Sequence, residues 1–480
     1  MKSIYESARR VDIWLGPLCA DCDLAMKTLL RWSAHLLPLD ESWGGQLDAA
    51  SVKAIVDSPD GLLAPLELKR GARYWTAIEH LFSRPWWHRG WILQESTVSV
   101  PRYLYCGNYS VELNALCFVL HVATVMRDPV TYAWPWAIQQ YSTRRQEGSC
   151  STLLEVLGEL RVYDCTDSRD KVYAGLGLIA GDISQDIIPD YTKPAEEVYM
   201  DVVKTILNRY PEEHKLDFLA YAVHPPKKLM KFTSSLSTKQ HVVPSWLPDW
   251  SEHVLDHAFP KSSSPNGLAA GSKLYNAAGT HPTQACLLGN QLRVLGLFVG
   301  FVSQTSSPCC QYPFTRMDVL RFVKMWEPKD SGQDYKAGGT VQQAFLSTVV
   351  ADVEHTTETI PRRKFAYSIH FSSLTEDEIN AMPKESSIAF SFAVDSVSLT
   401  VWGRRLFWTT DGYMGIGSAA MKDGDKICML FGGQVLYILR DIGNGHHEFI
   451  GECYVHGLMD GEALRGFEAG EVKSETLVIV

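Results

Sequence analysis

Arg84-Pro-Trp-Trp-His-Arg-Gly-Trp-Ile-Leu-Gln-Glu95 is the stretch on which the reading of this chain turns. It places three tryptophans, two arginines, a histidine and a glutamate within twelve residues. Tryptophan is costly to leave in water and glutamate is rarely buried without a partner, so neither a plain core helix nor a solvated one accounts for the mixture. Ser83 suits an N-cap and Pro85 a first turn, which predicts a helix through the segment. At 100° per residue, Arg84, His88, Trp91 and Glu95 then fall on one stripe, Trp87 and Gln94 flank it, and Arg89 and Leu93 project from the other side. Two readings stay open. One is a structural helix that packs its indoles against a neighbour while Arg84 or His88 neutralises Glu95. The other is a ligand site in which an indole supplies a wall and the carboxylate grips hydroxyls or a developing cation.

Outward from that segment, Lys2 to Arg10 reads as the tail of a helix, and Val11 to Leu15 as a short apolar strand closed by Gly16-Pro17. Helices are expected over 21–37 and about 73–82, and a strand over Arg102–Cys106. From about 111 to 210 the pattern is mainly helical, including 152–161 and 194–208. Residues 224–284, rich in Pro, Ser and Lys, read as a long irregular crossing anchored by Pro244-Ser-Trp-Leu-Pro-Asp-Trp250. After Leu287 strands are expected at 291–302, 388–402, 426–440 (bent at Gly432-Gly433) and, last, 448–456. The organisation expected is an α/β part over 1–110, a mainly helical middle over 111–285 and a β-rich region over 286–480.

Of the 480 residues, 46% are hydrophobic and 21% charged, an ordinary globular composition. A net charge of -10 leaves no excess of cations to neutralise phosphates, which argues against a general nucleic-acid partner. Neither a signal peptide nor a membrane span is expected, and a cytoplasmic setting follows. The eleven cysteines are scattered, so free thiols are expected even at the lone C-x-x-C of Cys19 and Cys22, and no metal site has a plausible ligand set. Gly175-x-Gly177-x-x-Ala180 loosely fits a dinucleotide fingerprint but lacks the following helix, so packing is expected there. Arg169 and Asp170 are expected to serve in ion pairing. On a strand, Cys453 and His456 diverge, whereas Glu452, Tyr454 and His456 share a face.

The Arg84–Glu95 segment resembles the third signature block of the fungal heterokaryon-incompatibility (HET) domain, through Arg84, Trp86, Trp87, Arg89, Trp91, Gln94 and Glu95. Ile4-Tyr5, Ala8 and Val11–Gly16 resemble the end of the second block. Thr166–Ala174, Pro189-Asp-Tyr191, Pro244–Trp250, Asp423–Ile427 and Gly451–Glu462 resemble segments that commonly follow the domain. The family's opening Tyr-x-x-Leu-Ser-Tyr-x-Trp-Gly pattern is absent, which implies a late start or a shortened member with an uncovered sheet edge. The resemblance implies a Toll/interleukin-receptor-like, flavodoxin-like N-terminal part and a role in non-self recognition or programmed cell death, acting through a protein partner or self-association. It also implies an alternative. Trp91 and Glu95 repeat the Trp-to-Glu spacing of NAD-cleaving relatives of that fold, with Glu95 as catalytic carboxylate and NAD as substrate. A third implied outcome is a degenerate scaffold without activity. The signature or ligand-binding residues expected are Arg84, Trp87, His88, Arg89, Trp91 and Gln94.

Overall fold

The computed structural model describes residues 2–42, 72–98, 100–126, 138, 151–179, 183–222, 243–252, 274–309, 316–329, 332–352, 397 and 400–480. It combines helices with sheets and divides into two compact units, 1–192 and 193–480.

In the first unit, α1 (Lys2–Ser7) runs into β1 (Val11–Trp14), whose alternation buries Val11 and Ile13 and turns Asp12 and Trp14 outward. Strand β1 pairs in parallel with β2 (Arg102–Cys106). Strand β2 then pairs antiparallel with β3 (Tyr109–Glu112) across a turn in which Gly107 has φ +56°. A parallel pair needs a long crossover, and here it contains α2 (Ala20–Ser42) and α3 (Arg73–Phe82). The two helices lock through aromatic side chains, Trp32 lying 5.4 Å from Tyr74 and 5.3 Å from Trp75 between ring centroids. The crossover ends in α4 (Ile92–Ser96). Beyond β3 lie α5 (Leu113–Met126) and α6 (Leu153–Leu160), the latter opened by a capping box between Thr152 and Glu155. Two short helices follow, α7 (Asp170–Tyr173) and α8 (Ile183–Asp186).

The second unit begins with α9 (Ala195–Arg209) and is dominated by one eight-stranded sheet. Its strands are β4 (Ala285–Leu288), β5 (Gln291–Thr305), β6 (Arg404–Thr409), β7 (Met414–Ser418), β8 (Lys426–Leu430), β9 (Leu436–Gly443), β10 (His446–Val455) and β11 (Glu475–Ile479). Pairing runs from β5 through β6, β7, β10, β9 and β8 back to β5, so the sheet closes on itself and leaves no edge along that ring. Strand β11 bridges β5 and β10, and β4 pairs with β5. Register shifts at Phe298/Gly300 and Phe449/Gly451 bend the strands around the closure, and Gly451 has φ +147°. Leu297, Ile416, Cys428, Ile438 and Tyr454 of these strands are all buried. Two further helices, α10 (Arg316–Trp326) and α11 (Val341–Val349), interrupt the strand succession, and α12 (Leu464–Glu468) precedes β11.

The β-rich C-terminal region therefore stands as expected, with changes in detail. Most of the strand expected over 388–402 lies outside the described residues, but 400 and 401 are helical, and strand structure starts at Arg404. The irregular crossing over 224–284 also lies mainly outside them. Its described anchor buries Trp246 and Trp250 completely, and the Trp246 indole donates to the Asn290 carbonyl at 3.1 Å. Cys19 and Cys22, expected as free thiols, are joined as a disulfide with their Cα atoms 5.0 Å apart. Positions three apart at the start of α2 share a face, which brings the two sulfurs together.

Candidate functional site

The signature segment is not one helix. Pro85–His88 forms a 3₁₀ turn, Arg89 is extended at φ -77°, ψ 134°, and α4 starts only at Ile92. Arg89 instead makes a parallel bridge to Asp164, with the Gly90 N–H donating to the Asp164 carbonyl at 2.9 Å. Packing at Gly90 explains the break, since a Cβ there would sit 2.6 Å from the Cys165 sulfur. The stripe expected to unite Arg84, His88, Trp91 and Glu95 is thereby dispersed, and each side chain finds separate partners.

Arg84 points to the end of β1. Its guanidinium donates to the Leu15 carbonyl at 2.6 Å and the Pro17 carbonyl at 2.8 Å, and lies 2.8 Å from the Cys22 sulfur. Gly16, between those carbonyls, has φ +113°, and a Cβ on it would meet Arg84 at 2.8 Å, so both conformation and proximity require glycine. Trp87 is fully buried against Phe82 and Trp86, with ring centroids 4.5 and 4.8 Å away. The His88 carbonyl accepts from the Asp164 N–H, while Arg89 is exposed.

Glu95 is half-buried rather than sealed, and no Arg84 contact neutralises it. It accepts from the Trp86 indole N–H at 3.2 Å and from the Tyr5 hydroxyl of α1. Burial and then the Glu95 charge push the Tyr5 phenol above its ordinary value, and Arg89 pulls it the other way. Tyr5 thus stays protonated as a donor and fixes the carboxylate's orientation.

Trp91 and Gln94 reach a different neighbourhood. The Trp91 indole donates to Asp170 at 3.1 Å, and the Gln94 amide donates to the Ala174 carbonyl at 2.8 Å. Gly177 packs flat on Gln94, where a Cβ would fall 2.8 Å from the amide carbon. That contact gives the glycine pair a packing role. Asp170 also accepts from the Tyr191 hydroxyl at 2.7 Å, and the Arg169 guanidinium, paired with Asp167 at 2.6 Å, sits 5.2 Å over the Tyr191 ring. Beside it, buried Lys171 donates to the carbonyls of Leu160, Arg161 and Tyr163. The segments 166–174 and 189–191, distant in sequence, therefore meet the signature segment in space. Asp170 was expected only in ion pairing, and sequence reasoning gave Tyr5, Lys171 and Tyr191 no individual role. A tyrosine ahead of the strand and a lysine in a charged run carry no local signal of burial.

Among the described residues no cluster of His, Cys, Asp or Glu has a metal-holding arrangement, and no helix is long and apolar enough to cross a membrane. In the second unit, the His456 ring is joined to the Tyr454 hydroxyl at 2.9 Å, while Cys453 is wholly buried. The His456 ring therefore lies on the side of Tyr454.

Comparison with known proteins places these features. Residues 1–95 match the heterokaryon incompatibility protein (HET) family and residues 381–470 match the Het-6 beta-barrel domain. The heterokaryon incompatibility protein 6, OR allele, of Neurospora crassa is 24% identical, over 96% of this chain and 78% of its own length. No solved structure matches. The signature segment closes the first match, and five of the six ring strands, β6 to β10, lie within the second. The chain is a heterokaryon-incompatibility-like protein that carries a HET domain match and a Het-6 barrel match.

Proposed function

We propose that the protein acts in the cytoplasm in non-self recognition or programmed cell death signalling, through a protein partner or self-association. The observation that carries this reading is the order of the two matches on one chain, shared along nearly its whole length with an incompatibility protein. The open side of β1 supports association: among the described residues β1 has β2 alone as a strand neighbour, and Trp14 is 59% exposed. The parallel β1–β2 pair with its helical crossover supports a Toll/interleukin-receptor-like, flavodoxin-like first part. The test is expression of the full chain in a fungal strain that lacks it, followed by fusion with compatible strains. The reading expects arrested or dying fusion cells in at least one pairing, and uniformly viable fusions in every pairing refute it.

A second reading is favoured by one observation. Glu95 remains half-exposed and both its described partners are neutral donors, which suits a carboxylate facing a developing oxocarbenium ion during NAD cleavage. Trp91 belongs to the Asp170 network, and so Trp86 rather than Trp91 borders the carboxylate. Under this reading Arg84, Trp87, His88, Arg89, Trp91 and Gln94 shape and support the site. Purified protein then consumes NAD and Glu95→Gln abolishes turnover with the fold intact. Absence of turnover in both forms, with a lowered Tm for the variant, assigns Glu95 to structure.

A further inference from the structure

We propose that Cys19 and Cys22 form a reversible dithiol–disulfide site, open to small thiols of the glutathione class, in which Arg84 stabilises Cys22 as the leaving thiolate. The two cysteines are unequal. Cys19 is exposed at the entry to α2, whereas Cys22 is only 1% exposed. Attack from solution is therefore directed at the Cys19 sulfur. The Arg84 guanidinium lies 2.8 Å from the Cys22 sulfur and 3.7 Å from that of Cys19. Its other described acceptors, the Leu15 and Pro17 carbonyls, are neutral, so they fix the guanidinium in place without cancelling its charge. Two carboxylates flank the pair, but each has a cationic partner. Asp21 faces His80 at 2.8 Å and Arg73 at 3.8 Å, and Asp23 pairs with Lys27 at 2.7 Å.

A structural role explains the pair poorly. A bridge between positions three apart closes a very short loop and so restricts the unfolded chain little. The exchange is balanced as follows. An external thiolate attacks the Cys19 sulfur, the Cys19–Cys22 bond breaks, and its electron pair leaves on Cys22 beside Arg84. A second external thiolate attacks the external sulfur of the mixed disulfide, freeing Cys19 as a thiolate. Two thiols are oxidised to one external disulfide, and the protein disulfide is reduced to two thiols, protonated from solvent. Because Arg84 opens the signature segment, the redox state of the pair alters the charge that this arginine meets.

The test equilibrates the full chain with buffers of varied reduced and oxidised glutathione ratio, alkylates, and reads the Cys19–Cys22 peptide by mass spectrometry. The expected result is a reversible transition within the buffer range. Arg84→Met is expected to shift its midpoint toward the disulfide by on the order of tenfold in the equilibrium constant, with part restored in Arg84→Lys. Alkylation of both cysteines at every ratio, a disulfide that survives excess reduced glutathione, or a midpoint unmoved by Arg84→Met overturns the proposal. Should Arg84→Met fail to fold, thiolate absorbance decides. The difference between Cys19→Ser and Cys19→Ser/Cys22→Ser is expected to titrate well below an ordinary thiol, and an ordinary titration refutes the role of Arg84.

Discussion

Lys171 is only 3% exposed, yet its ammonium gathers three carbonyls in the turn that ends α6. Removing the charge without shortening the side chain strands those acceptors, so Lys171→Met is expected to cost about 3 kcal/mol in denaturant unfolding. His447 offers a different handle. Burial, followed by the Lys426 charge, lowers its tendency to protonate, and the Lys426 ammonium donates to its ring at 3.3 Å. The unfolded chain binds that proton near pH 6.5, while the folded chain resists it. Stability is therefore full above that pH and falls as the pH drops toward the folded value. His447→Gln is expected to flatten the melting-temperature slope between about pH 7 and 5.5. Neither role was legible from sequence, because a lysine among charges and a histidine in a turn motif read as solvated. Glu95 was legible as unusual, since a carboxylate among indoles needs a donor, but its donor Tyr5 lies too far along the chain for any spacing rule to find.

At the scale of elements, local chemistry was legible wherever one segment decides its own shape. The helical pattern over 152–161 and the apolar spacing of 73–82 gave helices close to those found. Thr152 accepts from the Glu155 N–H while Glu155 accepts from the Thr152 N–H, so Thr152→Ala is expected to cost about 1 kcal/mol, measured by chemical denaturation. The signature segment shows where local reasoning fails. Its caps and spacing favour a helix, but Gly90 presses on Cys165 and the Arg89 backbone bridges Asp164, so tertiary contacts impose a break. Strands β6, β7 and β11 escaped for a related reason. They are short, β6 opens on two arginines, β7 holds two glycines, and β11 pairs only with strands far away in sequence.

The second unit as a whole depends on pairings between residues far apart in sequence, and β11 is the extreme case. It lies antiparallel to β5 from Glu475↔Gly296 to Ile479↔Leu292, and parallel to β10 at His446↔Val478 and His447↔Ile479. The Ser245 N–H donates to the Val480 carbonyl at 3.0 Å, so the same segment also holds the buried tryptophan anchor. Deleting 475–480 takes away the strand that β5 and β10 share and removes Leu477 and Ile479, otherwise 2% and 0% exposed, so the apolar surfaces they cover are laid open. Such a truncation is expected to aggregate or to lose cooperative unfolding, as followed by light scattering and calorimetry. The arrangement also sets a timetable for biosynthesis. When β5 leaves the ribosome its partner is still unwritten, and translation needs roughly ten to forty seconds more to deliver it. For that interval the nascent barrel carries an unsatisfied hydrogen-bonding edge, which makes it a natural client for chaperones that shield extended chains.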